Sequence, residues 1–183
     1  MTISAIEFDD SYLVRRAQDG FLDAFEELVL RHGARVYRTA LAMLGDRFEA
    51  QDLAQESFLA AWKGIDGFRG QAKFSTWLYQ IVTRLCLNQL RRHTPAPIDV
   101  RADEPTAESD NPAKQAEQRL RDGAINRAIA QLPPPQRIVV VLHHIEGLPY
   151  AEVAKVTRST VPSVRSNLFR ARRVLAHALQ DWR

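Results

Sequence analysis

Apolar residues recur three and four positions apart over most of the chain, and no stretch alternates convincingly at period two. The pattern predicts helices and no strands. The clearest case is Phe21 to Met43, where Phe25, Leu28, Val29, Val36, Ala40 and Met43 share one side. A short helix precedes it, opened near Asp9 to Ser11 and closed by Asp19-Gly20. Gly45 ends the long helix, and Asp46 is placed to cap a third that runs to about Trp62. After a loop, Ser75 is expected to cap a fourth, ending near Arg92.

A second helical block follows further on. One helix spans about Ala113 to Gln131 and stops at Pro133-Pro134-Pro135. Another runs from Gln136 to Ile145 and stops at Gly147; Pro149, in a first helical turn, opens a short one to about Val156. Thr160 is placed to cap the last, which continues to about Gln180. Between the blocks the periodicity disappears. Pro95 to Glu117 holds Asp99, Asp103, Glu104, Glu108, Asp110 and Glu117 against Arg101 and Lys114, with prolines at 95, 97, 105 and 112. Such a segment has too little apolar surface to offset the entropy of ordering. The predicted fold is all-α: two small helical domains, 1–94 and 118–183, joined by a flexible acidic linker, 95–117.

Composition agrees and narrows the classes. A chain of 183 residues with 45% hydrophobic content can bury two small cores. The net charge of +3 and pI near 9.3 are only mildly basic, so the distribution of charge has to identify a polyanionic partner. Cys86 is the single cysteine, which excludes an intrachain disulfide or a thiolate metal site and fits a cytoplasmic location. The N-terminal "MTISAIEFDD" is acidic and lacks the apolar core of a signal peptide, and no run of about 18 apolar residues predicts membrane insertion.

Three stretches carry candidate chemistry. In "FRGQAKFSTWLYQIVTRLCLNQLRR", Phe68 to Arg92, the residues Leu78, Ile81, Val82 and Leu85 form a core stripe on a helical wheel. Trp77, Gln80, Arg84, Asn88 and Arg91 occupy a neighbouring arc, with Arg69 and Lys73 in the loop before it. Cations neutralise phosphates, a ring stacks on unpaired bases and amides read base edges, so the arc suits single-stranded nucleic acid. A solvated face with Trp77 partly in the core is the plainer alternative. In "DLAQESFLAAW", Leu53, Ala54, Phe58, Ala61 and Trp62 are placed to face inward, while Asp52, Gln55, Glu56 and Leu59 share the other side. A leucine among acids suggests a protein-binding face, although one exposed leucine is also ordinary. Third, "LPYAEVAKVTRSTVPSVRSNLFRAR" has the form of a helix-turn-helix, with Val153, Ala154, Val164 and Leu168 packing inside. Its second helix shows Ser163, Ser166, Asn167 and Arg170 on one side, flanked by Arg165, Arg172 and Arg173. That combination suits major-groove reading with phosphate contact.

Signs of an enzyme are weak. No phosphate loop, nucleophile elbow or paired-cysteine site occurs, and no cofactor or metal is expected. His143 and His144 are adjacent and are expected to diverge on a helix.

With both blocks laid out, the chain resembles the extracytoplasmic-function sigma factors of the sigma-70 family of bacterial RNA polymerase. "AFEELVLRHGARVYRTALAMLGDRFEAQDLAQESFLAAW" and the Phe68–Arg92 stretch are similar to region two; "INRAIAQLPPPQRIVVVLHHIEGLPYAEVAKVTRSTVPSVRSNLFRAR" is similar to region four. The resemblance implies a sigma factor, not itself an enzyme, that directs core polymerase to promoters and opens them. Its implied partners are core polymerase, through the β′ and β subunits, promoter DNA and an anti-sigma factor. Asp52, Leu53, Gln55, Glu56, Phe58 and Leu59 match the segment gripping the β′ coiled coil. Phe68 to Phe74 matches the loop that holds a flipped base of the minus-ten element, and the helix from Ser75 matches the one that melts and reads it. Arg165, Ser166, Phe169 and Arg170 match contacts to the minus-thirty-five element, and the linker matches the segment threading the polymerase near its active site. The chain departs from the family pattern at Arg84, where Asn is frequent; at Arg158, where Gly is usual; at Ser159 and Pro149; and at Asn167, which often aligns with Arg.

Two other readings compete on the residues alone. A duplex-binding regulator independent of polymerase explains the helix-turn-helix but leaves the Trp77 arc and the acidic-leucine face unused. A helical enzyme built on His143 or His144 leaves both DNA-suited surfaces unused.

Overall fold

A computed structural model describes residues 9–92 and 123–178, and all regular elements among them are helical. The predicted linker, the start of the helix expected from Ala113 and the end of the last helix near Gln180 lie outside the described residues. The N-terminal half holds α1 (Asp10–Gln18), α2 (Leu22–Leu44), α3 (Arg47–Gly64), a 3₁₀ turn (Ile65–Gly67) and α4 (Phe74–Arg92). The C-terminal half holds α5 (residues 123–130), α6 (Pro134–Val140), a π-helical turn (Val141–Ile145), α7 (Tyr150–Thr157) and α8 (Val161–Ala178).

Local chemistry sets the boundaries. Gly45 closes α2 at φ +77, a left-handed conformation that costs glycine little, and its N–H donates to the Leu41 carbonyl. Asp46 then caps α3, accepting from the Glu49 N–H at 2.9 Å. Ser75 does not cap α4, because the helix already includes Phe74. The helix thus starts two residues earlier than a cap at Ser75 would place it, with the Phe74 ring buried in its first turn. Thr160 does cap α8, accepting from the Ser163 N–H at 3.3 Å. Pro149 stands just outside α7 as its N-cap residue rather than in the first turn.

α1 to α4 form a bundle around Leu28, Val36, Ala40, Met43, Leu78 and Val82, all almost fully buried. In the second half Val141, Leu142, Val153, Val164, Leu168 and Ala171 play the same part. The two cores form one contiguous cluster, because α4 packs on α7 and α2 meets α6 and the π turn. Arg137 joins them from within. It is 5% exposed, and its guanidinium donates to the carbonyls of Ala130, Leu132 and Met43, the last in the final turn of α2. Helix C-termini carry partial negative charge and orphan carbonyls, so a buried cation there is compensated without a carboxylate.

Candidate nucleic-acid interface

The loop from Phe68 to Lys73 leaves the 3₁₀ turn, bends at Gly70 (φ +68) and enters α4. Its rings do not stand apart. Phe68 lies 5.0 Å from Trp77 and 6.1 Å from Phe74, centroid to centroid, and Phe74 lies 5.7 Å from Trp77. Phe74 is buried, so it supports the other two from the core side. Phe68 and Trp77 are half-buried, while Arg69 and Lys73 in the loop are exposed. Along α4 the predicted arc is present: Arg84 and Arg91 are exposed, while Gln80 and Asn88 are partly so. Arg91 donates to the Asn88 side-chain oxygen, which orients the amide.

Beside the loop lies a cavity of about 700 Å³. The loop forms one wall; α1 forms the other through Ser11, Val14, Arg15 and Gln18. Nothing in α1 marked it as part of a site, because its periodicity accounts only for Leu13, Val14 and Ala17 facing the core.

α3 separates its faces as its pattern implied. Asp52, Gln55, Glu56 and Leu59 are exposed, Leu59 by 60%. Leu53, at 5% exposed, and half-buried Phe58 face the bundle, so they hold the helix from behind instead of forming its outer surface. Phe48 was missed by the sequence reading. It is 73% exposed and stands one turn before Asp52, and the series 48, 52, 55, 59 falls within about 60° of one helix face.

The helix-turn-helix comprises α7, the turn at Arg158 to Thr160, and α8. Val164, Leu168 and Ala171 are buried; Arg165, Ser166, Phe169, Arg170 and Arg173 are exposed, Phe169 by 64%; Ser163 and Asn167 are partly exposed. Arg158 adopts φ +51, ψ +42, the left-handed conformation that a glycine would take freely. The Ser159 N–H donates back to the Ala154 carbonyl at 2.9 Å, closing the helix end around it. His143 and His144 do not diverge. The π-helical turn brings their rings to 4.7 Å, His143 Nδ1 lies 2.8 Å from the Leu148 carbonyl, and its ring packs on Tyr150. Burial, helped by His143 and Arg172, lowers the pKa of His144. Among the described residues no cluster of metal-ligating side chains occurs, and no helix is long and apolar enough to cross a membrane.

A ring-and-cation surface in one helical module and a basic helix-turn-helix in the other define a DNA-handling protein with two recognition modules. Residues 28–95 match the model of Sigma-70 region 2, and residues 122–175 match that of Sigma-70, region 4. The chain is 37% identical to the RNA polymerase sigma-H factor of Pseudomonas aeruginosa over 181 residues, 93% of this chain and 94% of that one. It is 31% identical to the ECF RNA polymerase sigma factor SigW of Bacillus subtilis, over 92% and 95% of the two chains. Its fold is similar to that of CnrH, solved in complex with the cytosolic domain of CnrY, with a TM-score of 0.71 at 26% identity over 94% and 97% of the chains. The chain therefore belongs to the extracytoplasmic-function class of the sigma-70 family, and it serves RNA polymerase in recognising promoters and initiating transcription.

Proposed function

We propose that the work of promoter opening is divided among four surfaces. Residues 1–94 form the module that docks on core polymerase and opens DNA, 95–117 the connecting linker, and 118–183 the module that reads the upstream element. The outer face of α3, with Asp52, Gln55, Glu56 and Leu59, docks on the polymerase β′ subunit, with Leu53 and Phe58 bracing it. The loop Phe68–Lys73 captures a base leaving the minus-ten duplex, and Trp77, Gln80, Arg84, Asn88 and Arg91 follow the unpaired strand along α4. Ser163, Arg165, Ser166, Asn167, Phe169, Arg170 and Arg173 on α8 contact the minus-thirty-five element. The chain supplies binding energy and no catalysis, acts in the cytoplasm beside the polymerase, and is held in check by an anti-sigma polypeptide.

The observation that carries this reading is the loop with its cavity. Phe68, whose ring packs on Trp77, lines a space large enough for a nucleobase, together with Arg69 and Lys73. Extruding a base costs a few kcal/mol of lost stacking and pairing, and a fitted pocket offsets that cost. The test uses holoenzyme assembled from core polymerase and either wild-type or Trp77→Ala protein. Duplex binding is expected to persist in the variant, while permanganate reactivity of unpaired thymines falls. Undiminished reactivity would refute the assignment.

A further inference from the structure

We infer that Gln18, on α1, is a positioning residue that shapes the base-capturing cavity by tying down both ends of the segment leading into its loop; this rests on the proposed role of that loop. The Gln18 side-chain amide donates to the Ile65 carbonyl at 2.8 Å and to the Phe68 carbonyl at 2.9 Å. Both N–H donors of one planar NH₂ group are thereby spent on two carbonyls three residues apart in sequence. The Phe68 N–H donates in turn to the Ile65 carbonyl at 3.0 Å. Gln18 thus clamps the 3₁₀ turn at its start and just past its end.

The second anchored residue is Phe68 itself, whose ring lies against Trp77. Fixing its carbonyl fixes the backbone from which that ring projects. From Phe68 to Lys73 the chain has neither helix nor strand to hold it, and Gly70 adds backbone freedom. Left to itself, such a loop would have to be ordered at the moment the base arrives, which weakens capture. Gln18 moves that ordering into folding. It also lines the cavity, so clamp and wall are the same side chain.

The geometry is specific to glutamine. Glutamate has the same length, but its carboxylate oxygens would face two carbonyl oxygens. Asparagine is one methylene shorter and cannot span the same gap from the same backbone. Methionine retains the length and apolar stem without a donor.

The experiment measures the affinity of holoenzyme for fork-junction promoter DNA. An abasic nucleotide is moved in turn through each position of the unpaired minus-ten strand. Wild-type protein should lose affinity at the position where the base is captured. With the intact base, Gln18→Met and Gln18→Glu should bind about tenfold more weakly, as loss of two modest hydrogen bonds implies. On DNA abasic at the captured position, wild type and variants should bind alike, because there is no base left for the cavity to grip. A variant penalty equal on intact and abasic DNA, or no penalty on either, would overturn the role of Gln18. If wild type is indifferent to the abasic nucleotide at every position, base capture by this loop is itself wrong, and the inference falls with it. Should Gln18→Glu fail to fold, Gln18→Met carries the comparison.

Discussion

Arg38 and Glu146 join the two halves of the molecule. The Arg38 guanidinium, on α2, donates through Nε and Nη2 to the two carboxylate oxygens of Glu146, both at 2.9 Å. The Tyr79 hydroxyl, on α4, donates to the same carboxylate at 2.7 Å. The Glu146 side chain is 1% exposed, so its charge is offset by these donors in place of water. Nearby, the Thr76 hydroxyl donates to Glu152 at 3.0 Å and the Gln80 amide to the Lys155 carbonyl at 3.4 Å. Thr76 and Gln80 flank Trp77 on α4, so in this arrangement α7 lies over part of the surface assigned to the minus-ten strand. Glu146→Ala should loosen the closure. It leaves Tyr79 unpaired and Arg38, itself half exposed, without its partner, for a loss on the order of 2 kcal/mol. Small-angle scattering should show a larger radius of gyration for the variant, and Glu146→Gln, which still accepts a hydrogen bond, a smaller change. An unchanged radius in Glu146→Ala would show that the apolar contacts alone hold the halves together.

Phe48 extends the docking face of α3 by one turn and sits on the same side as Asp52 and Leu59. Burying a large ring beside a leucine, within a rim of acids, fits an interface anchor. Leu59→Ala and Phe48→Ala should each weaken binding to core polymerase by about tenfold, and Asp52→Arg by more. Leu30→Ala should leave it unchanged, since Leu30, although 78% exposed, lies on α2. Titration of fluorescently labelled protein with core polymerase measures all four.

Stability should fall on the alkaline side. Burial pushes the Cys86 thiol up to about 12, and burial together with the bond to Glu146 raises the Tyr79 phenol. In the unfolded chain these groups ionise near pH 8.5 and 10, about their ordinary values. Between those values and the folded-state ones the folded protein binds more protons, so its stability is full below about pH 8 and declines as pH rises through 8.5. Each fully coupled proton contributes a slope of about 1.4 kcal/mol per pH unit. Urea unfolding at pH 7.5 and 10 should show wild type losing about 2 kcal/mol more than Cys86→Ala over that interval. An equal loss in both proteins would place the thiol in contact with solvent.

Arg158 should be improvable. A non-glycine residue at φ +51 costs about 1 kcal/mol relative to glycine, partly returned by glycine's greater unfolded-state entropy. Arg158→Gly is expected to stabilise the protein by about 0.5 kcal/mol, seen as a rise of about 1–2 °C in Tm. A lower Tm would mean that the Arg158 side chain contributes more than its backbone costs.

Much of this was written locally along the chain. The helices, the caps at Asp46 and Thr160, the exposed acids of α3 and the basic face of α8 follow from spacing and side-chain chemistry that neighbours within a few residues settle. The turn at Arg158 was flagged by the resemblance alone, since Gly is usual there, and Arg158 does take a positive φ of 51. Folding in space added what spacing cannot express. Gln18 and Phe68 are fifty positions apart, and Arg38 and Glu146 more than a hundred, so no periodicity links them. An amide or a carboxylate on a helix reads as a solvated residue until packing delivers its partners. The same holds for Phe74, which the resemblance groups with the base-holding loop and which is 3% exposed in the folded chain. Hydrogen bonds and burial between distant segments depend on where helices cross, and those crossings are settled by the collective packing of the core.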